Sequence, residues 1–459
     1  MLKKNLRISH RKAAILLIFY TIRLKNLTAH DKIMYSKKTN ILLPLTVALF
    51  LFTPIFDVFL IFLGLNSGFK FGDWAAYYQA PLRYFADAPV YSIEPELFVE
   101  QLKNYYNKEL TDIVLPYVYP PIMLIFFYPF TFIPFKLSFY LFNLISVLFL
   151  CYSVVYLVRS FNRNLSQRDT MWLSVAVISF SPVLRAVQLG QVSTILAGLL
   201  CFVVAARNVS SVPAVLVSIP KPYYLPVALY TIQNKKRFFS FVGGIAGAAI
   251  SSVALLGTKI HIEYVLYVLN RTTRSSHSVE ENVWHQATFR PLATFHEIGI
   301  PVMLIKIFLF ISMVFISILY KKYHDDDEDD YIEVYIVCLG ICSIPLLTPE
   351  PELLILCSMI PVIISMVVIE SEKNSGRVIF PLASAILIQI HPYSIEFVSG
   401  FAGRVFPSLD PIFVVVYKML PIIQPALIGV LLLYTFLWYQ VLSVFTYDSM
   451  RSLLILQSE

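Results

Sequence analysis

Long apolar runs joined by short polar stretches fill most of this chain. They fall at about residues 41–64, 118–135, 137–158, 170–188, 191–206, 211–233, 239–257, 301–320, 331–347, 353–369, 377–390 and 411–445. One crossing of a bilayer takes roughly 20 apolar residues in a helix. The pattern therefore predicts an all-α polytopic bundle of about twelve membrane helices. Two stretches, 65–117 and 258–300, are too long and too polar to be joints, and they read as large loops. The segment Ala13 to Ile22 is short for a crossing, and Arg23 and Lys25 follow it with no small-residue cleavage site. That suits an interfacial helix better than a signal peptide. The expected order is a basic segment over 1–40, a membrane module over 41–257 carrying the first loop, a second loop over 258–300 and a further membrane module over 301–459.

Composition sharpens this picture. Hydrophobic residues make up 58% of the chain and charged residues 14%, and the mean hydropathy is +0.70, values outside the range of soluble globular domains. The net charge of +7 is concentrated near the N-terminus, where Lys3, Lys4, Arg7, Arg11 and Lys12 lie. We read it as an orientation signal and expect no nucleic-acid partner. With the basic segment on the cytosolic side, strict alternation puts Lys235 to Arg237, Lys321, Lys322, the acidic run DDDEDD over 325–330 and Glu370 to Arg377 inside. Both large loops then lie outside, and the first is net negative, as suits a translocated segment. One loop disagrees. Arg159, Arg163 and Arg168 of RSFNRNLSQRD, over 159–169, come out on the external face. The acidic run lacks the spaced glycine and terminal glutamate of a calcium loop and reads as a solvated turn. The cysteines, Cys151, Cys201, Cys338, Cys342 and Cys357, all fall in apolar runs without ligand or disulfide spacing and behave as small hydrophobes.

Candidate chemistry gathers in the first loop. FGDWAAYYQAPLRYFADAPVYS, residues 71–92, sets Asp73 beside Trp74, Tyr77 and Tyr78, with Tyr91 to follow. YVYPPIMLIFFYPF, residues 117–130, then leads back into the membrane, and its Pro120 and Pro121 suit the first turn of a helix. Asp73 is also a natural N-cap for a helix starting at Trp74. Asp57, inside the first run, reads as a hydrogen-bonded structural carboxylate, and Lys306 sits near enough to a run's end to snorkel.

This order of motifs resembles the polytopic alpha-mannosyltransferases of glycosyltransferase family eighty-seven, within the GT-C class. Further matches follow in sequence. SPVLRAVQLGQVSTILAGLL, residues 181–200, resembles a Gly-Gln segment through Gly190 and Gln191, a pair that also reads as a tight turn. SIPKPYYLPVALYTIQNKKR, residues 218–237, resembles a lysine-proline segment through Lys221 and Pro222. VWHQATFRPLATF, residues 283–295, resembles a block of the second loop through Gln286, Thr288 and Arg290. Where relatives carry paired histidines, LLTPEPELLIL at 346–356 keeps the proline and has Glu350 and Glu352 instead.

The resemblance implies transfer of a hexose, mannose first among the choices, from a polyprenyl or dolichyl phosphate to a hydroxyl of a glycan or glycolipid at the external face of the cell membrane. Such chemistry needs a base within hydrogen-bond reach of the attacking hydroxyl and cations where phosphate charge grows. Asp73 is the expected base, and Trp74, Tyr77, Tyr78 and Tyr91 are the expected sugar contacts. Lys221, Arg271, Arg274, His277, His285 and Arg290 are the available cations for the donor phosphate, and Gln286 is a further expected substrate contact, although Arg271 and Arg274 would equally anchor the loop at lipid headgroups. No Asp-x-Asp or adjacent carboxylate pair follows the first run, so neither a metal nor another cofactor is expected. A transporter or lipid flippase is the alternative, since Asp57, Lys221 and Lys306 are charges of the kind that mark transport pathways.

Overall fold

The computed structural model describes residues 72–91, 117–161, 166–206, 210–274, 330–347, 353–373, 376–390 and 425–456, with a few helical positions between 304 and 318. Among them all regular structure is helical. The expected first crossing at 41–64, Asp57, Lys306 and residues 275–300 fall outside the described set. Three described helices are long and apolar enough to cross a membrane: Phe135–Ser160, Lys235–Leu256 and Pro425–Ser443. A pair bent by 66°, Gln167–Ser179 with Ser181–Leu189, qualifies as a fourth if taken as one broken crossing. Several of the other apolar runs are broken into shorter α-helical and 3-10 pieces.

The first helix, α1, spans Gly72–Phe85. The short α2, Ile122–Phe127, passes into a 3-10 stretch, Tyr128–Phe132. Next comes α3, Phe135–Ser160, whose buried positions Ser138, Phe142, Ser146, Leu150, Ser153 and Leu157 recur at helical spacing while Leu137, Leu144, Leu148 and Tyr152 face outward. Ser138, Ser146 and Ser153 each return their hydroxyl to a carbonyl three or four residues back. Small polar side chains bonded this way let neighbouring helices approach closely in an apolar medium. The bent pair is α4, Gln167–Ser179, and α5, Ser181–Leu189. Ser166 and Asp169 form a capping box at the start of α4, and Pro182 in the first turn of α5 marks the bend.

Beyond Gly190 lies α6, Ser193–Ala205. Its Gly198 fits against Phe149 and Ser153 of α3, and Phe202 packs on Tyr156 with ring centroids 5.1 Å apart. Then come α7, Val212–Ser218, a 3-10 stretch, Pro222–Gln233, and α8, Lys235–Leu256, which Asn234 caps through the amides of Lys236 and Arg237. The second large loop opens as a helix, α9, Thr258–Arg274. In the C-terminal part, α10 is Asp330–Leu347, α11 Met359–Glu372, α12 Ile379–Gln389 and α13 Pro425–Leu456.

Side-chain contacts show which runs traverse the bundle. The run at 118–135 stays beside α1: Tyr77 stacks on Phe127 at 4.6 Å, the Tyr78 hydroxyl donates to the Ile133 carbonyl at 3.0 Å, and Phe85 meets Tyr128 at 4.3 Å. The start of α3 is also here, with Ser138 bonded to Trp74. Because α6 lies alongside α3 in the same direction, both lead away from α1. Just past α6, the Ser211 hydroxyl bonds that of Ser240, near the start of α8. The other end of α8 returns to α1, where the Tyr84 hydroxyl donates to the Leu256 carbonyl at 2.7 Å. The run at 211–233 thus begins and ends beside the first turns of α8.

Two of the expected crossings, 118–135 and 211–233, therefore double back. Prolines explain both, since each removes a backbone donor and blocks the preceding turn. Pro120, Pro121, Pro129 and Pro134 break the first run, and Pro213, Pro220, Pro222 and Pro226 break the second. Arg159 and Arg168 lie with Lys235 to Arg237 at one end of the bundle, the clustering of basic residues that the charge rule favours for a single face. The same end holds an ion pair between Arg237 and Glu333, 3.6 Å apart.

Candidate active site

The carboxylate of Asp73 lies in the first turn of α1, with Arg83 in the last turn, a charge order that complements the helix dipole. Asp73 is the second residue of the described part of this helix, directly before the buried Trp74. Trp74, Ala75, Ala76, Tyr77 and Ala80 are buried, whereas Asp73 is half-buried. This splits the sequence-predicted cluster in two.

Trp74, expected to offer a face to sugar, is fully enclosed. Its ring stacks on Phe142 at 4.5 Å, Phe130 meets it edge-on at 5.3 Å, and its indole N–H donates to the Ser138 hydroxyl at 3.2 Å. Tyr77 is buried against Phe127, and Tyr78 is spent tying α1 to the 3-10 stretch through Ile133. Tyr91 is also buried, and its hydroxyl donates to the Tyr119 carbonyl at 2.7 Å. These four aromatics pack or bond onto neighbouring segments, because helical spacing turns Trp74 and Tyr77 toward the packed side of α1. Of the four, Tyr77 alone bonds a side-chain hydroxyl at the centre of the site.

That centre joins segments far apart in sequence. Gln191 donates its side-chain N–H to Asp73 Oδ2 at 2.5 Å. Its carbonyl accepts from the Ser193 hydroxyl at 3.2 Å and from the Tyr119 hydroxyl at 3.5 Å. Tyr119 and Tyr77 share a hydroxyl bond of 2.9 Å. Lys221, at the junction of α7 and the following 3-10 stretch, brings Nζ to 5.7 Å from the ring centroids of both Tyr119 and Tyr223. Lys221 is itself buried. Tyr119 thus stands between the carboxylate network and the cation.

The local turn at Gly190 makes this possible. Gly190 closes α5 at φ +68, and a Cβ there would lie 2.8 Å from Cβ of Trp74 and 2.9 Å from Phe139. Only glycine allows both that backbone and that approach. The turn reading of Gly190 and Gln191 is therefore half of the account: the turn exists, and it delivers the Gln191 amide to Asp73.

A wall of tyrosines continues from the site to α9. Tyr91 packs against Tyr264 at 5.3 Å, Tyr117 at 5.7 Å and Tyr267 at 5.8 Å. Burial, with Tyr264 and Glu263 close by, pushes the Tyr91 phenol far above its ordinary range, and burial with the neighbouring Tyr267 pushes Tyr264 up to about 12. Both remain neutral phenols at any working pH. The Tyr117 hydroxyl is buried with no hydrogen-bond partner among the described residues. Arg271 and Arg274 fall in the last turns of α9. His285, Gln286 and Arg290 lie outside the described residues, as do Glu350 and Glu352.

Sequence reasoning underrated Gln191, Ser193 and Tyr119. Each stood inside a motif segment, but a glutamine after glycine and a tyrosine before two prolines carry no chemistry of their own. Their role comes from a contact across 118 residues, the separation of Asp73 and Gln191.

Against known proteins, the sequence model of glycosyltransferase family 87 matches residues 117–349, just over half of the chain. The match takes in Tyr119, Gly190, Gln191 and Lys221, and Asp73 stands upstream of it. No curated protein and no solved structure matches the chain.

Proposed function

We propose a donor, a reaction and a face for this chain, which belongs to glycosyltransferase family 87 and is a membrane glycosyltransferase. The donor is a polyprenyl-phosphate hexose, with mannose as the sugar, and the acceptor is a hydroxyl of a glycan or glycolipid. The reaction takes place at the end of the bundle where α1 lies, which the charge pattern makes the external face. The observation that carries this reading is the convergence of Asp73, Gln191, Tyr119 and Lys221 from four separate segments.

Asp73 takes the proton of the acceptor hydroxyl as that oxygen attacks the anomeric carbon. The bond from that carbon to the phosphate oxygen breaks, with inversion, and the leaving phosphate gains negative charge. Lys221, buried between two tyrosine rings, is suited to meet that charge, since preorganised cations act most strongly where water is excluded. A lysine in apolar surroundings costs roughly 2.5 to 3.5 kcal/mol on insertion scales, and a bound phosphate would offset it. Arg271, Arg274, His285, Gln286 and Arg290 of the second loop are further donor contacts in this reading. Trp74, Tyr77, Tyr78 and Tyr91 hold the shape of the site.

The test is to incubate the purified protein with polyprenyl-phosphate mannose, glucose and galactose in the presence of extracted membrane glycolipids. The expected result is release of polyprenyl phosphate with the mannose donor and labelling of a glycolipid. Release from none of the donors would overturn the proposed substrate class.

A further inference from the structure

We propose that Gln191 is a positioning residue that fixes the Asp73 carboxylate and keeps it ionised for proton abstraction. The inference rests on the assignment of Asp73 as the base and adds a second residue to it. An ionised carboxylate only accepts hydrogen bonds, so the Gln191 group facing Asp73 Oδ2 at 2.5 Å must be the amide N–H. The opposite end of the same amide accepts from Ser193 at 3.2 Å and Tyr119 at 3.5 Å. With its carbonyl held by two hydroxyls, the amide cannot flip without turning an oxygen toward the carboxylate. Gln191 is buried and follows a glycine in the left-handed region, so its backbone is held as firmly as its side chain. A buried donor aimed at a half-buried carboxylate favours the charged form.

Among the described residues, the charged and titratable side chains placed against this network are Tyr77 of α1, Tyr119 before α2, Arg185 of α5, and Lys221 with its neighbours Tyr223 and Cys357. The Arg185 guanidinium is bonded to Gln188 at 3.1 Å. All remain in place in the Gln191 variants, so a shift of the pH profile between those variants reports the amide.

The experiment measures transfer from a short-chain polyprenyl-phosphate mannose to extracted membrane glycolipid, as a function of pH, in detergent-purified protein. Gln191→Glu sets two carboxylates side by side, which must then share a proton, and the acid limb should move up by about one unit or more. Gln191→Met removes the donor at similar volume, and kcat should fall about 10- to 100-fold, the worth of a hydrogen bond to a charged group, with donor KM unchanged. Folded Gln191 variants with a wild-type acid limb and wild-type kcat would overturn the inference. If these variants do not fold, Tyr119→Phe and Ser193→Ala decide. Each removes one of the two hydroxyls that hold the Gln191 carbonyl, and a smaller upward shift supports the proposal while an unmoved limb overturns it. Asp73→Asn is run alongside. Full activity in that variant would show that the base assignment itself had failed, an outcome distinct from failure at Gln191.

Discussion

Two polar clusters in this protein use the same parts in opposite ways. Near α1, a glutamine amide from Gln191 serves Asp73, and Lys221 stands over tyrosine rings. Among α10, α11 and α13, the Gln440 amide donates to Glu370 Oε1 at 3.0 Å, the Tyr335 hydroxyl donates to the same oxygen at 3.3 Å, and Lys373 lies 5.1 Å from the Tyr335 ring centroid. Burial is inverted between them. Glu370 is 1% exposed and Lys373 is exposed, whereas Asp73 is half-buried and Lys221 is 6% exposed. In the second cluster the lysine also donates to Tyr335 at 2.9 Å, closing a circuit of cation, phenol and carboxylate. Such a circuit ties three helices together. The first cluster turns its carboxylate outward and its cation inward, an arrangement that suits a reaction needing a base at the surface and an anion-binding charge beneath it.

The comparison breaks most sharply at the carboxylates. Asp73→Asn keeps the shape and removes the base, so transfer should fall by about 100- to 10,000-fold, the usual worth of general-base catalysis. Glu370→Gln should leave transfer within a few-fold of wild type and lower the melting temperature instead. A transfer assay and a thermal melt on both variants would separate the roles, and equal effects in the two would dissolve the distinction.

The lysines should differ by less. Lys221→Ala is expected to weaken donor binding by about 1.5 to 3 kcal/mol, as for hydrogen bonds to charged groups. Lys373→Ala should leave donor affinity unchanged, because its ammonium is exposed at the cluster among α10, α11 and α13. Titration with a non-transferable polyprenyl-phosphate sugar analogue reads both. Donor affinity unchanged in Lys221→Ala would assign that lysine to structure.

The smallest expected effect sharpens the picture of how the site is held. Gly190→Ala forces a side chain into the left-handed region, at about 1 to 2 kcal/mol, and presses on Trp74 and Phe139. It should lower both melting temperature and transfer, while adding an alanine at Gly243, where a Cβ meets nothing within 4 Å, should change neither. Unaltered transfer in Gly190→Ala would mean that the turn does not set the Gln191 geometry.

What the sequence determined by itself was the medium, the helical class and the motif segments. Apolar runs are a property of composition along the chain, and the need to satisfy backbone groups in lipid leaves helices as the economical answer. Asp73, Lys221 and the Gly190 turn were legible because a carboxylate, an embedded lysine and a glycine have consequences wherever they fall. Only the tertiary structure decided which runs double back, because a proline announces a break but not the direction the chain takes after it. It also decided which neighbours Trp74, Tyr77, Tyr78 and Tyr91 pack against, since an aromatic beside an aspartate can face either side until the helix finds its neighbours. The pairing of Gln191 with Asp73 was likewise hidden: a hydrogen bond is a matter of a few ångströms, and nothing local in either segment encodes where the other will stand.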